Sequence, residues 1–273
     1  MVYSVIGALV VGLSLGVFGS GGSILTVPVL LYLLHHEDKV AIAESLGIVG
    51  AIALLSAVPY AKAKLVEWPT ALLFGLPGMA GTYLGAWLAK FVSGPVQLLV
   101  FAAVMIFAAL LMWRRDRGGL DPDEGERPQH RSVVKIGIDG LLVGVLTGFV
   151  GVGGGFLIVP ALVLLGGVPM RRAVATSLVI IAAKSATGFW KYIHVLDEMQ
   201  LSVDWHTIGV FVLVGAAGSL LGRRVNAGLN QAALQRGFAL FLVLMSIFIV
   251  GREGLDLIRE SSGTTSAVES GGK

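Results

Sequence analysis

The chain has 273 residues, of which 55% are hydrophobic and only 14% charged, against about a quarter charged in a soluble domain. The formal net charge of +3 comes from basic residues in short loops rather than on one amphipathic face, so it points to membrane topology and not to a nucleic-acid partner. With no cysteine, disulfides, thiolate metal sites and thiol catalysis are excluded.

The first segment, MVYSVIGALVVGL, lacks the basic start of a secretory signal, and a similar segment recurs mid-chain. It is read as retained structure. Residues 70–89, 95–113, 206–222 and 233–251 are almost free of charge. A hydrocarbon core of ~30 Å needs about 20 apolar residues as helix, which these runs supply. Barrel strands would be shorter and would alternate. The expected class is therefore an all-α polytopic membrane protein.

The chain repeats itself. GLSLGVFGSGGSILTVPVL, residues 12–30, aligns with GVLTGFVGVGGGFLIVPAL, residues 144–162, at an offset of 132. Gly12, Gly16, Gly19, Gly21, Gly22 and Pro28 meet Gly144, Gly148, Gly151, Gly153, Gly154 and Pro160. The register continues through Ser45/Ser177 and Tyr60/Tyr192, and after a five-residue insertion the offset becomes 137. Glu67 and Trp68 then meet Asp204 and Trp205, and Gly78, Gly81 and Gly85 meet Gly215, Gly218 and Gly222. Chance does not align Gly, Pro, Trp and Tyr in one order across most of each half, so the chain is a duplication. The expected organisation is a first transmembrane repeat at 1–113, a linker at 114–132, a second repeat at 133–254 and a disordered tail at 255–273. The linker, RRDRGGLDPDEGERPQHRS, and the tail are polar and have no apolar face.

Each Gly-rich segment is either the middle of one long crossing helix or the tip of two short helices that dip in and return. The first arrangement makes four crossings per half and parallel repeats. The second makes three crossings plus a re-entrant pair, hence inverted repeats. Charge favours the second. Arg114, Arg115, Arg117, Arg127, Arg131 and Lys135 surround the linker, which places it in the cytoplasm. Hairpins then bring Lys62, Lys64, Arg171, Arg172, Arg223 and Arg224 to the same side and put both termini outside.

Glycine in a helix interior is unfavourable by roughly 1 kcal/mol relative to Ala, and unwound backbone at membrane depth is tolerated only where protein buries it or it lines a cavity. The breaks at 19–23 and 151–155, each with a proline about one turn into the helix that follows, therefore suit cavity lining. The N–H groups opening those helices suit an anion. Two such ends facing each other is the pattern of transporters with broken helices. The other reading, close helix contact of the G-x-x-x-G kind, is favoured for Gly12/Gly16 and Gly144/Gly148. A nucleotide-binding loop is excluded because apolar residues follow both runs, and no cofactor is expected.

Lys184 lies inside an apolar helix, where insertion costs ~3 kcal/mol, and its partner in the first half is Ile52. It either faces the permeation path or is a structural lysine. Glu44 aligns with Thr176 and is a proton carrier, a partner of Lys184, or an acid stabilised at a helix start. Ser45 and Ser177 either donate to a substrate or bond back to their own helices. Trp68 and Trp205 suit interfacial anchoring. The five histidines show no catalytic zinc spacing, and no nucleophile–base set is visible, so no enzyme is expected.

The doubled G-x-G-G-G-x-x-x-V-P-x-L segment, followed by A-x-(E/T)-S-L and an acid–Trp pair, resembles the TauE/SafE family of sulfite and organosulfonate exporters over residues 5–252. The resemblance implies passage of small sulfur-containing anions across the bacterial inner membrane, around a central site between pseudo-symmetric halves. By position it points to Gly19, Gly21, Gly22, Ser23, Ser45, Gly151, Gly153, Gly154, Gly155, Thr176 and Ser177, to which the residue reading adds Lys184 for the anion and Glu44 for proton coupling. The first half departs from the pattern in reading GSGGS and in carrying Glu44, so unequal halves are expected. The partners implied are a small anion and the lipid bilayer, with a homodimer left open. A passive anion channel and a non-transporting assembly factor remain alternatives.

The topology is testable because no native thiol interferes. Cysteines placed at Gly119 and Ala227 should react only with cytoplasmic reagents, and one at Glu198 only from outside. Labelling of 198 and 227 from the same side would exclude inverted repeats.

Overall fold

The computed structural model describes residues 2–88, 91–92, 94–116, 133–150, 155 and 157–270. Gly151, Gly153 and Gly154 and most of the linker lie outside the described residues. Among these residues ten α-helices follow in order: α1 Val2–Phe18, α2 Gly21–Pro28, α3 Asp38–Lys62, α4 Trp68–Leu88, α5 Gly94–Asp116, α6 Val133–Val150, α7 Ile158–Pro160, α8 Met170–Glu198, α9 Trp205–Gly228 and α10 Gln231–Ser270. No strand occurs among the described residues. Four helical stretches among them are long and apolar enough to cross a membrane: Lys39–Lys62, Met170–Glu198, Trp205–Gly228 and Ala232–Gly251.

The duplication is visible in the helix boundaries. At offsets of 132 and 137, the starts of α3, α4 and α5 coincide with those of α8, α9 and α10. The prolines have the same consequence in both halves. Proline removes a backbone donor and crowds the preceding turn, and directly after Pro28 and Pro160 the chain widens into π turns, Val29–Leu33 and Ala161–Leu165. Pro28 is the last residue of the eight-residue α2, so it sits a turn deeper than the sequence suggests. After each π turn comes a left-handed residue, His35 at φ 57° and Gly167 at φ 63°.

Phe18 ends α1, and Gly19 at φ +75° reverses the chain. Only glycine takes that conformation without a steric cost. The helix α2 then runs back along α1, with Gly22 against the Val11 carbonyl and Leu15, and Gly7 opposite Val29. The first Gly-rich segment is therefore a hairpin and not one continuous helix.

The halves interlock. The most extensive contacts are α4 with α6, α1 with α9, α3 with α8 and α5 with α10, so the first helix of each repeat lies along the fourth of the other. Gly12 and Gly16 meet the backbone at Gly215 and Ser219, and their counterparts Gly144 and Gly148 meet it at Gly78 and Thr82. Sequence numbers rise together along both seams, so these helices are parallel. At the α3–α8 contact Gly47 faces Phe189 and Gly50 faces Ser185, which makes this pair antiparallel. The close-contact reading of Gly12, Gly16, Gly144 and Gly148 is the one the fold realises.

Basic side chains collect at one end. Arg171 donates to the Ala227 and Leu229 carbonyls, at 2.9 and 2.6 Å. Arg172 pairs with Glu67 at 3.5 Å, and Arg223 lies over the Tyr60 ring, 5.5 Å from its centroid. At the other end Lys39 reaches Met199 and Asp204 meets Glu44. Beyond the second repeat α10 continues to Ser270. Extending an existing helix avoids the cost of nucleating one.

The seams set a clear expectation. Gly144→Leu would drive a side chain into the Gly78 backbone, which cannot swing aside, and should cost upward of about 3 kcal/mol. Gly209→Leu, with nothing within 4 Å of its Cβ position, should be neutral or slightly stabilising. Melting temperatures of the two solubilised variants check this.

Candidate functional site

The breaks require their backbone groups to be satisfied, because no water reaches a helix end in hydrocarbon. At the end of α1, Tyr60 donates to the Gly16 carbonyl at 3.2 Å and Asn226 to the Val17 carbonyl at 2.7 Å. Both donors are buried and come from elsewhere in the chain, one from α3 and one from α9. Orphan carbonyls at the helix end are thereby capped from two other helices.

The two breaks meet. A Cβ at Gly155 would stand 3.0 Å from Ser23 Oγ and 2.8 Å from Ile181. One at Gly19 would stand 2.8 Å from Ser177 Oγ. Ser177, Ile181 and Lys184 follow one another at helical spacing along α8, so a single face of that helix runs from the tip of the first hairpin to Lys184. Of the residues picked from sequence, Gly19, Ser23, Gly155 and Ser177 are thus brought together. Gly21 and Gly22 lie beside them and face α1, against Ser14 and Leu15 respectively.

Lys184 is the fifteenth of the 29 residues of α8 and is buried. Its Nζ donates to Thr147 Oγ1 at 3.1 Å, and that hydroxyl donates to the Gly144 carbonyl at 3.0 Å. No carboxylate pairs with Lys184 among the described residues. The lysine is buried, so it does not snorkel to the surface. Thr147 was not legible as the partner of Lys184, since one threonine in an apolar helix carries no spacing signal.

Glu44 lies apart from Lys184. It is fully buried, with Oε2 2.6 Å from His36 Nδ1 and Oε1 accepting the Asp204 N–H at 2.8 Å. It is therefore not the partner of Lys184. Because α3 starts at Asp38, Glu44 also sits nearly two turns in, beyond the terminal turn where the helix dipole acts on an acid. Its counterpart Thr176 makes the same tie in the other half, accepting the Glu67 N–H at 3.0 Å. These positions fasten α3 and α8 to the segments that open α9 and α4. Ser45 bonds back to the Ile42 carbonyl at 2.8 Å, and Ser177 to the Val174 carbonyl at 2.9 Å with Gly19 O at 3.4 Å.

Asp204 caps α9, accepting from the Thr207 hydroxyl at 2.7 Å and the His206 N–H at 2.9 Å. The Thr207 hydrogen bond, ahead of other causes, holds its carboxyl below the usual range. A lowered carboxyl favours the fold above the ordinary value, and that contribution is lost as pH falls through the lowered one. Trp68 and Trp205 open α4 and α9 with exposed rings, as interfacial anchoring requires. Among the described residues no group of three His, Asp or Glu side chains could hold a metal ion.

Glu44→Ala removes an acceptor from Asp204 and a partner from His36, and should cost about 1–3 kcal/mol. Glu44→Gln keeps an acceptor oxygen and should cost less. Thermal unfolding of the solubilised variants orders them, and equal losses would argue against the tie.

The likeness to known proteins extends over most of the chain. The pattern of the family described as "Sulfite exporter TauE/SafE" matches residues 4–249. A "Probable membrane transporter protein" of Xylella fastidiosa (strain 9a5c) is 33% identical over 255 residues, covering 91% of this chain and 94% of that protein. "Probable membrane transporter protein YunE" of Bacillus subtilis is 28% identical over 276 residues, with 92% and 96% covered. "Probable membrane transporter protein MJ0441" of Methanocaldococcus jannaschii is 23% identical over 256 residues, with 90% and 94% covered. No solved structure matches the chain.

Proposed function

The chain belongs to the TauE/SafE sulfite exporter family of membrane proteins, and from that premise we propose that it is a secondary transporter exporting small sulfur-containing anions, such as sulfite or organosulfonates, across the inner membrane. The observation that carries the reading is Lys184, buried at the middle of α8 with a threonine hydroxyl as its hydrogen-bond partner. A central lysine costs ~3 kcal/mol to insert. A monoanion 4 Å away contributes ~4 kcal/mol at an effective dielectric of 20, enough to offset that cost. A bound anion therefore suits this position better than an empty one.

The breaks at Gly19, Gly21, Gly22 and Ser23, and at Gly151, Gly153, Gly154 and Gly155, form the two sides of the substrate site in this reading, with Ser177 and Lys184 along one wall. Ser45 and Thr176 belong to the frame behind them. The repeats are inverted, each with three crossings and a re-entrant pair. Support comes from the antiparallel α3–α8 contact, since equivalent helices that meet across a two-fold axis in the membrane plane run in opposite directions. The collection of Arg171, Arg172 and Arg223 at one end supports a cytoplasmic linker by the positive-inside rule. Alternating access then consists of one interlocked unit, the hairpin of one repeat with the fourth helix of the other, rocking against its counterpart.

The test is uptake into proteoliposomes across sulfite, sulfoacetate, taurine, sulfate and thiosulfate, with counterflow of labelled substrate separating a carrier from a channel. Lys184→Met should fold, because an apolar side chain of similar length is tolerated in place of a buried charge, and its anion uptake should fall at least tenfold. Normal uptake by the variant would return Lys184 to a structural role, and absence of uptake for the whole panel would remove sulfur anions as the substrate.

A further inference from the structure

The tip of the first hairpin carries four hydroxyls of its own, and the backbone uses two of them. Ser23 donates to the Ser20 carbonyl at 2.7 Å, and Thr26 to the Gly22 carbonyl at 2.7 Å. Ser14 and Ser20 differ. Both are buried, and neither hydroxyl has a partner among the described residues. A buried hydroxyl without a hydrogen bond is a cost to the fold, so two of them flanking the reversal at Gly19 require an explanation.

Ser20 occupies the N-cap of α2. A serine there ordinarily turns its oxygen onto the N–H of the second or third helical residue. Ser20 makes no such bond. The N–H groups of Gly21 and Gly22 open the helix and have no acceptor within it. Ser14, on the last full turn of α1, directs its Oγ against Gly21, the first residue of α2. Both serines therefore meet the first turn of one helix, where Gly21 adds no side chain between Ser14 and the backbone.

We propose that Ser14, Ser20 and the first N–H groups of α2 form a neutral hydrogen-bond subsite for the oxygen atoms of a small oxoanion. This deepens the transport reading above and rests on it. Hydroxyls and amides donate to several oxygens held at fixed spacing, which a sulfonyl or sulfite group presents and a halide does not. The second half lacks these donors, with Leu146 and Val152 at the equivalent positions. The first half in turn has Leu15 and Ile52 where the second has Thr147 and Lys184. Anion recognition is thus divided between the halves, the first supplying directional neutral donors and the second supplying the charge.

The test separates binding from folding. Ser14→Ala, Ser20→Ala and the double variant, as full-length solubilised protein, are melted against increasing sodium sulfite, methanesulfonate, nitrate and phosphate, with chloride as the ionic-strength control. Without added oxoanion the variants should melt at or above the wild-type temperature, because an unpartnered hydroxyl is removed. The oxoanion concentration giving half-maximal stabilisation should rise about tenfold per hydroxyl, while the response to chloride stays unchanged. Wild-type half-saturation in the double variant overturns the subsite. So does a lowered melting temperature without ligand, which assigns the hydroxyls to the fold, and so does a wild type that no oxoanion stabilises. Stabilisation by nitrate or phosphate alone, lost in the variants, keeps the subsite and removes sulfur anions as the substrate.

Discussion

Backbone-to-backbone contact along two glycine seams holds this molecule together. In a bilayer the lipid is as apolar as the side chains, so helix association draws on close van der Waals contact rather than on expulsion of water. At Gly12 on Gly215 and Gly144 on Gly78 no side chain intervenes. Each seam joins the first helix of one repeat to the fourth of the other. Neither repeat is therefore a separate body, and any relative motion must carry a hairpin of one half together with a crossing helix of the other.

That interlock supplies what the breaks need. A helix that stops at membrane depth leaves carbonyls and N–H groups that must find partners in the protein. The carbonyl end of α1 finds Tyr60 and Asn226, and Asn226 reaches it because α9 runs parallel to α1. The N–H end of α2 has no such supply, and the hydroxyls nearest to it are unspent. An end capped on its acceptor side and open on its donor side favours a ligand rich in acceptors.

The pseudo-symmetry separates frame from site. Seams, π turns and the ties from Glu44 to Asp204 and from Thr176 to Glu67 recur in both halves. The tie persists although a carboxylate stands in one half and a hydroxyl in the other, because both present an oxygen to an N–H. Lys184, Thr147, Ser14 and Ser20 are among the groups that break the symmetry. A frame tolerates chemical variation wherever geometry is conserved, whereas a site for one anion lying between two halves has no need of identical walls.

Helical class, duplication and the positions of the breaks were open to the sequence alone, because each rests on local physics. About 20 apolar residues match the bilayer thickness, and Gly and Pro interrupt helices wherever they fall. The partner of each helix was not legible, since Gly12 and Gly215 are distant in the chain and only the fold makes them touch. Glu44 and Lys184 look like a natural ion pair in sequence, yet the antiparallel crossing of α3 and α8 carries Glu44 toward Asp204 and leaves Lys184 with Thr147. The four hydroxyls at the first break look alike in sequence as well. Ser23 and Thr26 are spent locally, on carbonyls three and four residues back, whereas tertiary structure alone brought Ser14 against Gly21 and left its hydroxyl open, because only the reversal at Gly19 lays α2 along α1.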